Sequence, residues 1–240
     1  MKMKCTAIVL AAGKGKRMNS DVPKQYLFLE DKPVLYYSLQ VFQDSFIDEI
    51  VLVTSESDVE YCRNKIVEKY GFDKVHSIVA GGKERYHSVF AGIMAAGECD
   101  YIFIHDGARP FVTAQILQRA YECVIQHGAC VVGMPSKDTV KLANEDGFAS
   151  LTPDRDLVWM IQTPQVFSFS LIKRAYMSLI EEEEALVSRG IKITDDAMVV
   201  ETFTDKKVKL VEGRYENIKI TTPEDLKIAV TFLGKDDNSR

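Results

Sequence analysis

Apolar runs of strand length alternate with longer stretches of helical spacing through the first 135 residues, and that alternation restricts the fold more than any other feature. TAIVLA (6–11), EIVLVTS (49–55), VHSIVA (75–80), DYIFIHD (100–106) and ACVVGMP (129–135) are near-continuous apolar runs. Such runs suit strands of a parallel sheet buried on both faces. Between them lie helical patterns at 33–43, 57–71, 84–97 and 114–128. Pro33 opens the first, Ser57 is the expected cap of the second, and Gly71, Gly97 and Gly128 supply stops. A repeating βα unit requires right-handed crossovers and a mostly parallel sheet covered by helices on both sides. Ligands of such sheets bind beyond the carboxyl ends of the strands, where strand order reverses. If the order is 3-2-1-4, the loops at 11–24 and 105–110 face each other at that point.

The rhythm breaks near residue 136. Two short alternating runs flank Asn144-Glu145-Asp146-Gly147 within 138–152, a hairpin pattern. An antiparallel hairpin inserted in a parallel fold projects from it, as a dimer arm or as a surface flap. Trp159 and Met160 are placed where the arm rejoins the sheet. Helices at 169–185 and 195–203, strands at 207–211 and 217–220 and a last helix at 223–233 complete the chain. Thr222, Pro223 and Asp225 mark the start of that last helix. One domain over 1–235 with an arm at about 136–160 is the expected organisation, and the tail GKDDNSR is expected to fray.

Composition narrows the function. The 240 residues carry a net charge of −5, which disfavours a general nucleic-acid surface and requires local cations for any anionic ligand. Five cysteines without a CxxC pair read as reduced thiols of a cytoplasmic protein, and the scattered histidines show no zinc spacing. The apolar run near the amino end is too short to span a membrane.

The loop LAAGKGKRMNSDVPKQY (10–26) places Lys14, Lys16, Arg17 and Lys24 around a glycine turn. It is not a dinucleotide fingerprint, because the third glycine position holds Met18. Glycine-loop N–H groups with arginine and lysine make an anion site, and a triphosphate uses both kinds of cation. An ordinary solvated loop fits too, above all for Lys14 and Lys16; Arg17 and Lys24 are each fixed beside a turn element, Gly15 and Pro23. A second glycine turn, Gly81-Gly82, runs into a helix with Ser88, where backbone groups suit a base edge or a plain helix start with Arg85 solvated. Asp106 ends a strand at the ligand edge and suits Mg²⁺ or a sugar hydroxyl. It fits equally as a turn cap, with Arg109 as its ion partner. Asp195 and Asp196 read as helix caps. Lys219, between Ile218 and Ile220, points away from the face those two share.

Taken together, AAGKGKRM-x4-PKQY, AGGKERYHSV, HDGARPFV, KDTVK, WMIQTPQVF, ITDDA and VEGRYENIKITTPEDL resemble the 2-C-methyl-D-erythritol 4-phosphate cytidylyltransferase family from about residue 5 to 232. The first motif alone marks only the wider nucleotidyltransferase group. Ribitol-5-phosphate cytidylyltransferases share it and an HD-x-x-RP loop, but are less similar in the later motifs. A non-catalytic nucleotide binder on the same fold is the other alternative. The resemblance implies a Rossmann-like nucleotidyltransferase fold, a homodimer formed through the arm, and reaction of CTP with the alcohol phosphate in the presence of Mg²⁺. It implies that Arg17 and Lys24 stabilise the transition state and that Arg155 and Lys219 position the attacking phosphate. Ala11, Ala12, Gly13, Gly82 and Ser88 would surround the cytidine, while Asp106, Arg109, Thr139 and Thr194 would hold the alcohol phosphate. Asp106 is also the implied metal ligand. Two positions depart from the family pattern: Gly107, alanine in many relatives, and Lys83, acidic in some.

Overall fold

The computed structural model describes residues 3–236 apart from 14, 19 and 21; the side chains of Lys16 and of residues 234–236 also lie outside it. The expectations for Lys14, the Lys16 side chain and the polar tail therefore fall outside the described residues. Seven strands form the main sheet: β1 (Cys5–Ala11), β2 (Glu49–Thr54), β3 (Val75–Ala80), β4 (Tyr101–Asp106), β5 (Ala129–Pro135), β6 (Trp159–Ser168) and β7 (Lys209–Glu212). Their spatial order is β7-β5-β6-β4-β1-β2-β3. The segment β4-β1-β2-β3 is the expected 3-2-1-4 order, and its pairings are all parallel. Strand β6 alone runs antiparallel, between β4 and β5.

The two-residue period of β1 shows how the core divides. Ala7 and Val9 face one cluster with Leu35, Leu39 and Phe42 of helix Val34–Asp44 and Ile116 and Leu117 of helix Ala114–His127. Ile8 faces the other, with Val89 and Ile93 of helix Arg85–Ala95 and Ile172 and Tyr176 of helix Phe169–Glu181. The sheet is thus buried on both faces, as its unbroken apolar runs require. Each fully buried aliphatic side chain contributes on the order of 1.5–3 kcal/mol relative to exposure, enough to fix which face each strand residue presents, and the parallel pairing then puts the carboxyl ends of β1 to β4 on one edge.

Several local expectations are corrected. Strand β6 is not among the expected strands, and it carries Pro164, a residue otherwise confined to edge strands and bulges, in its middle. The structure places that proline inside a break in the β5 pairing, between Ile161 and Gln165, so it displaces no ladder bond. Met160, expected to pack against the sheet, is 58% exposed. Residues 217–220 form no strand, although Ile220 is buried and Lys219 turns the opposite way. Ser57 does not cap a helix: it lies in the 3₁₀ turn Glu56–Asp58, ahead of the helical run that begins at Val59. That run does stop at Gly71, in the left-handed region at φ 68°. Helix Arg85–Ala95 ends short of Gly97. The hairpin is present, Leu142–Ala143 pairing antiparallel with Ala149–Leu151.

Candidate active site

A cavity of about 700 Å³ opens at the carboxyl ends of β1, β2, β3 and β4, bounded by the loops after them. Its first wall is the backbone at Ala11, Ala12 and Gly13. Lys24 reaches the cavity from the short turn Lys24–Tyr26, whose other two residues are anchors. Gln25, buried, donates to the Ala11 carbonyl, and the Tyr26 hydroxyl meets Thr54 Oγ1 at 2.8 Å. Pro-Lys-Gln-Tyr is therefore a cation mounted on two buried polar bolts. Lys24 Nζ donates to the Ile220 carbonyl at 2.9 Å. Burial first, then the neighbouring charge of Lys219 and those of Arg17 and Arg109, lower this ammonium to about 8, with Asp106 opposing them. Arg17 itself is exposed, on the turn Lys16–Met18, and is not part of the cavity wall.

The second wall is the Gly81-Gly82 turn. Gly81 lies so close to its neighbours that a Cβ there would fall 2.5 Å from Ser88 Oγ and 2.7 Å from Ala12 Cβ. Glycine is what lets the two walls approach. Ser88 is buried, and its hydroxyl accepts from Gly82 N at 3.2 Å, bracing the turn it lines. Lys83 is exposed at the rim.

The floor is ionic. Asp106 Oδ2 meets Lys219 Nζ at 2.7 Å and Oδ1 meets Arg85 Nε at 3.3 Å. Burial alone raises this carboxyl, but the Arg85, Lys219 and Arg109 charges outweigh it and hold it well below the usual carboxylate range. The expected Asp106–Arg109 pair does not form, because the Arg109 guanidinium is directed elsewhere: it donates to the Asn217 carbonyl at 2.8 Å and to the Ile161 carbonyl at 3.4 Å. Nor is Arg85 solvated: its guanidinium forks onto Asp196 at 2.8 and 2.9 Å. Asp195 caps helix Asp196–Phe203 by accepting from Met198 N, whereas Asp196 is fully buried and serves Arg85. The loop after β4 is held by His105, whose ring nitrogens contact Thr163 Oγ1 at 3.0 Å and the Arg109 carbonyl at 3.2 Å. Burial lowers this imidazole to about 4, so it stays neutral near pH 7. At Gly107 a Cβ would come within 2.7 Å of Leu35 Cδ1 and 3.0 Å of the Leu10 carbonyl, so the loop lies tight against helix Val34–Asp44.

The cavity thus brings together Ala11, Ala12, Gly13, Lys24, Gly82, Ser88, Asp106 and Lys219. It does not include Arg109, which is half-buried behind the floor, nor Thr139, Arg155 or Thr194, which are exposed, Thr139 and Arg155 on or beside the arm. Sequence reasoning missed Arg85 with Asp196. The available signal was the second of two consecutive aspartates: one position past the cap, it shares a short helix with the buried Ala197, Val199 and Val200.

A family model for 2-C-methyl-D-erythritol 4-phosphate cytidylyltransferase (IspD) matches residues 5–235. The protein of that name from Lachnospira eligens is 52% identical over 229 residues, covering 95% of this chain and 98% of the relative. That from Caldanaerobacter subterraneus subsp. tengcongensis is 47% identical, covering 97% of this chain and 100% of the relative. Among solved structures, the 4-diphosphocytidyl-2C-methyl-D-erythritol synthase of Anaerococcus prevotii superimposes with a TM-score of 0.83 at 34% identity, over 97% of this chain and 96% of that one. The similarity spans both walls, the ionic floor and the arm together, and the chain belongs to the 2-C-methyl-D-erythritol 4-phosphate cytidylyltransferase family.

Proposed function

We propose that this chain joins CTP to 2-C-methyl-D-erythritol 4-phosphate, giving the CDP-alcohol and pyrophosphate in isoprenoid precursor biosynthesis. The observation that carries the chemistry is the convergence of Lys24 and Lys219, from residues far apart in sequence, on one cavity roofed by glycine turns. A phosphate oxygen of the alcohol phosphate attacks the α-phosphorus of CTP. The bond from that phosphorus to the bridging oxygen breaks, and pyrophosphate leaves with the electron pair. The nucleophile is already ionised near pH 7, so no general base is needed. The reading asks no proton transfer of His105, which is buried with both ring nitrogens engaged.

The barrier is charge, since two anions meet and negative charge gathers on the non-bridging and leaving oxygens. Arg17 and Lys24 stabilise that charge, Lys24 from a partly desolvated site where it counts for more. Ala11, Ala12, Gly13, Gly82 and Ser88 enclose the cytidine. Asp106, Arg109, Thr139 and Thr194 take the alcohol phosphate, and Lys219 with Arg155 orients it for attack. Among the described residues no three His, Cys, Asp or Glu side chains gather into a metal cage. Asp106 is the buried carboxylate at the cavity floor and would be the protein ligand of a Mg²⁺ arriving on the triphosphate; it already pairs with Lys219 and Arg85, so it would offer such an ion only the lone pairs those two leave, and the ion would offset part of the triphosphate charge.

The arm fits a homodimer contact. Leu142, Leu151, Phe148 and Leu157 are 50%, 54%, 73% and 80% exposed along it, an apolar surface that a second copy would cover. Thr139 and Arg155 then serve the neighbouring site rather than their own. Mixing inactive Arg155→Ala and Lys24→Ala proteins should restore part of the activity on subunit exchange, because one of the two sites in a heterodimer is intact. Failure to recover any activity would mean that each site is built within one chain. The free thiols fit a cytoplasmic setting; among the described residues no helix is long and apolar enough to cross a membrane. The reaction itself is tested by pyrophosphate release from CTP with a panel of polyol phosphates. Release with methylerythritol phosphate is expected; release with ribitol phosphate alone would assign the related activity, and release with none would indicate a binder.

A further inference from the structure

The Asp196 carboxyl is fully buried, and the cap of its helix is already supplied by Asp195. Both its oxygens accept from Arg85, and Oδ1 also accepts from the Tyr176 hydroxyl. A buried ion pair is a poor way to add stability, since apolar side chains of similar volume often do as well or better. What the pair does control is the direction of Arg85. That side chain is 30% exposed and lines the cavity, yet its fork faces Asp196 and leaves only Nε for Asp106, at 3.3 Å. Asp106 therefore keeps its second oxygen for Lys219, at 2.7 Å. The result is a row of alternating charge, Asp196–Arg85–Asp106–Lys219, running from the core to the cavity.

We propose that Asp196 is a positioning residue for the cytidylyl transfer: by occupying the Arg85 fork it keeps Asp106 available to Lys219 and so fixes Lys219 for the alcohol phosphate. Without Asp196 the fork is free. Its nearest carboxylate is Asp106, and a guanidinium prefers two parallel bonds to one carboxylate. Arg85 then takes Asp106 in both oxygens, and Lys219 loses the partner that sets its position. The same loss follows when the cation is kept but the fork is removed, as in Arg85→Lys, because an ammonium is a point charge that does not hold two carboxylates in a fixed relation.

The inference rests on the reading that Lys219 orients the alcohol phosphate, and the test separates the two. Wild-type protein is assayed first for pyrophosphate release with CTP and methylerythritol phosphate; failure there defeats the proposed function itself. Asp196→Asn and Arg85→Lys are then compared for methylerythritol phosphate KM, kcat and CTP Kd, the last measured calorimetrically without the second substrate. The expected result is a rise of about tenfold or more in methylerythritol phosphate KM with CTP Kd held within about twofold. The double variant should be no worse than the weaker single one, because both act through one chain of contacts. A purely structural role would lower kcat through loss of active protein and leave KM unchanged, and that result overturns the proposal. A rise in CTP Kd, alone or together with KM, makes Arg85 a direct triphosphate ligand and also overturns it. Where Asp196→Asn does not accumulate as folded protein, Arg85→Lys decides by the same criteria, since it keeps a cation between the two carboxylates.

Discussion

Lys24→Ala is expected to lower kcat by about 10²–10³-fold, the loss of about 2.7–4 kcal/mol typical of removing one pre-placed donor to developing charge. The effect should fall on kcat more than on CTP binding, because the charge that Lys24 meets is larger in the transition state than in bound CTP. Its position makes this a clean test. The turn is anchored by Gln25 and Tyr26, while the Lys24 side chain's own hydrogen bond runs out to the Ile220 carbonyl, so the turn survives its removal. The pH profile gives an independent reading. Burial and neighbouring cations bring the free ammonium down to about 8. The charged form is the useful one, so kcat/KM should fall as pH rises through about 8, while kcat, reporting the complex with bound phosphates, should hold to higher pH. Lys24→Arg should flatten the profile over that range at a reduced rate, since a guanidinium stays protonated. Near-normal turnover in Lys24→Ala, or a profile unaffected by Lys24→Arg, would remove Lys24 from the chemistry.

Asp106→Ala should destabilise the fold by about 3–5 kcal/mol, the usual consequence of removing one partner of a buried ion pair. For a chain of this size that corresponds to a fall in melting temperature of roughly 6–20 °C. Arg85, Lys219, Arg109 and Lys24 all bring positive charge to this carboxylate. Without it they repel one another across a half-desolvated floor. The deficit should shrink as salt is raised, because the floor opens to the cavity and screening reaches it. Thermal unfolding at low and high salt measures both. An unchanged melting temperature at low salt would show that the cations relax into solvent, and that Asp106 does not organise the floor.

Legibility from sequence followed the range of the interactions. The first five strands, the helices between them and the 3-2-1-4 order were readable because apolar period and turn residues are local, and because right-handed crossovers leave few arrangements. Strand β6 was not, since Pro164 is a breaker by local rules and is admitted only by an interruption in its pairing with β5. At the site, the glycine turns and Lys24 stood out as loop features beside strand ends. Arg85 did not, because an arginine at a helix start looks the same whether it meets water or a buried aspartate more than a hundred residues away.

The sequence alone therefore determined the α/β layering, the sheet edge at which the cavity opens, and a set of motifs specific enough for the family resemblance. Tertiary structure alone decided which charges pair: Asp106 with Lys219 and Arg85 rather than Arg109, and Asp196 with Arg85 rather than with its own helix end. The reason is physical. Periodicity and turn chemistry act between residues a few positions apart, whereas an ion pair depends on distance and burial, which exist only once the sheet has brought residues 85, 106, 196 and 219 to one place.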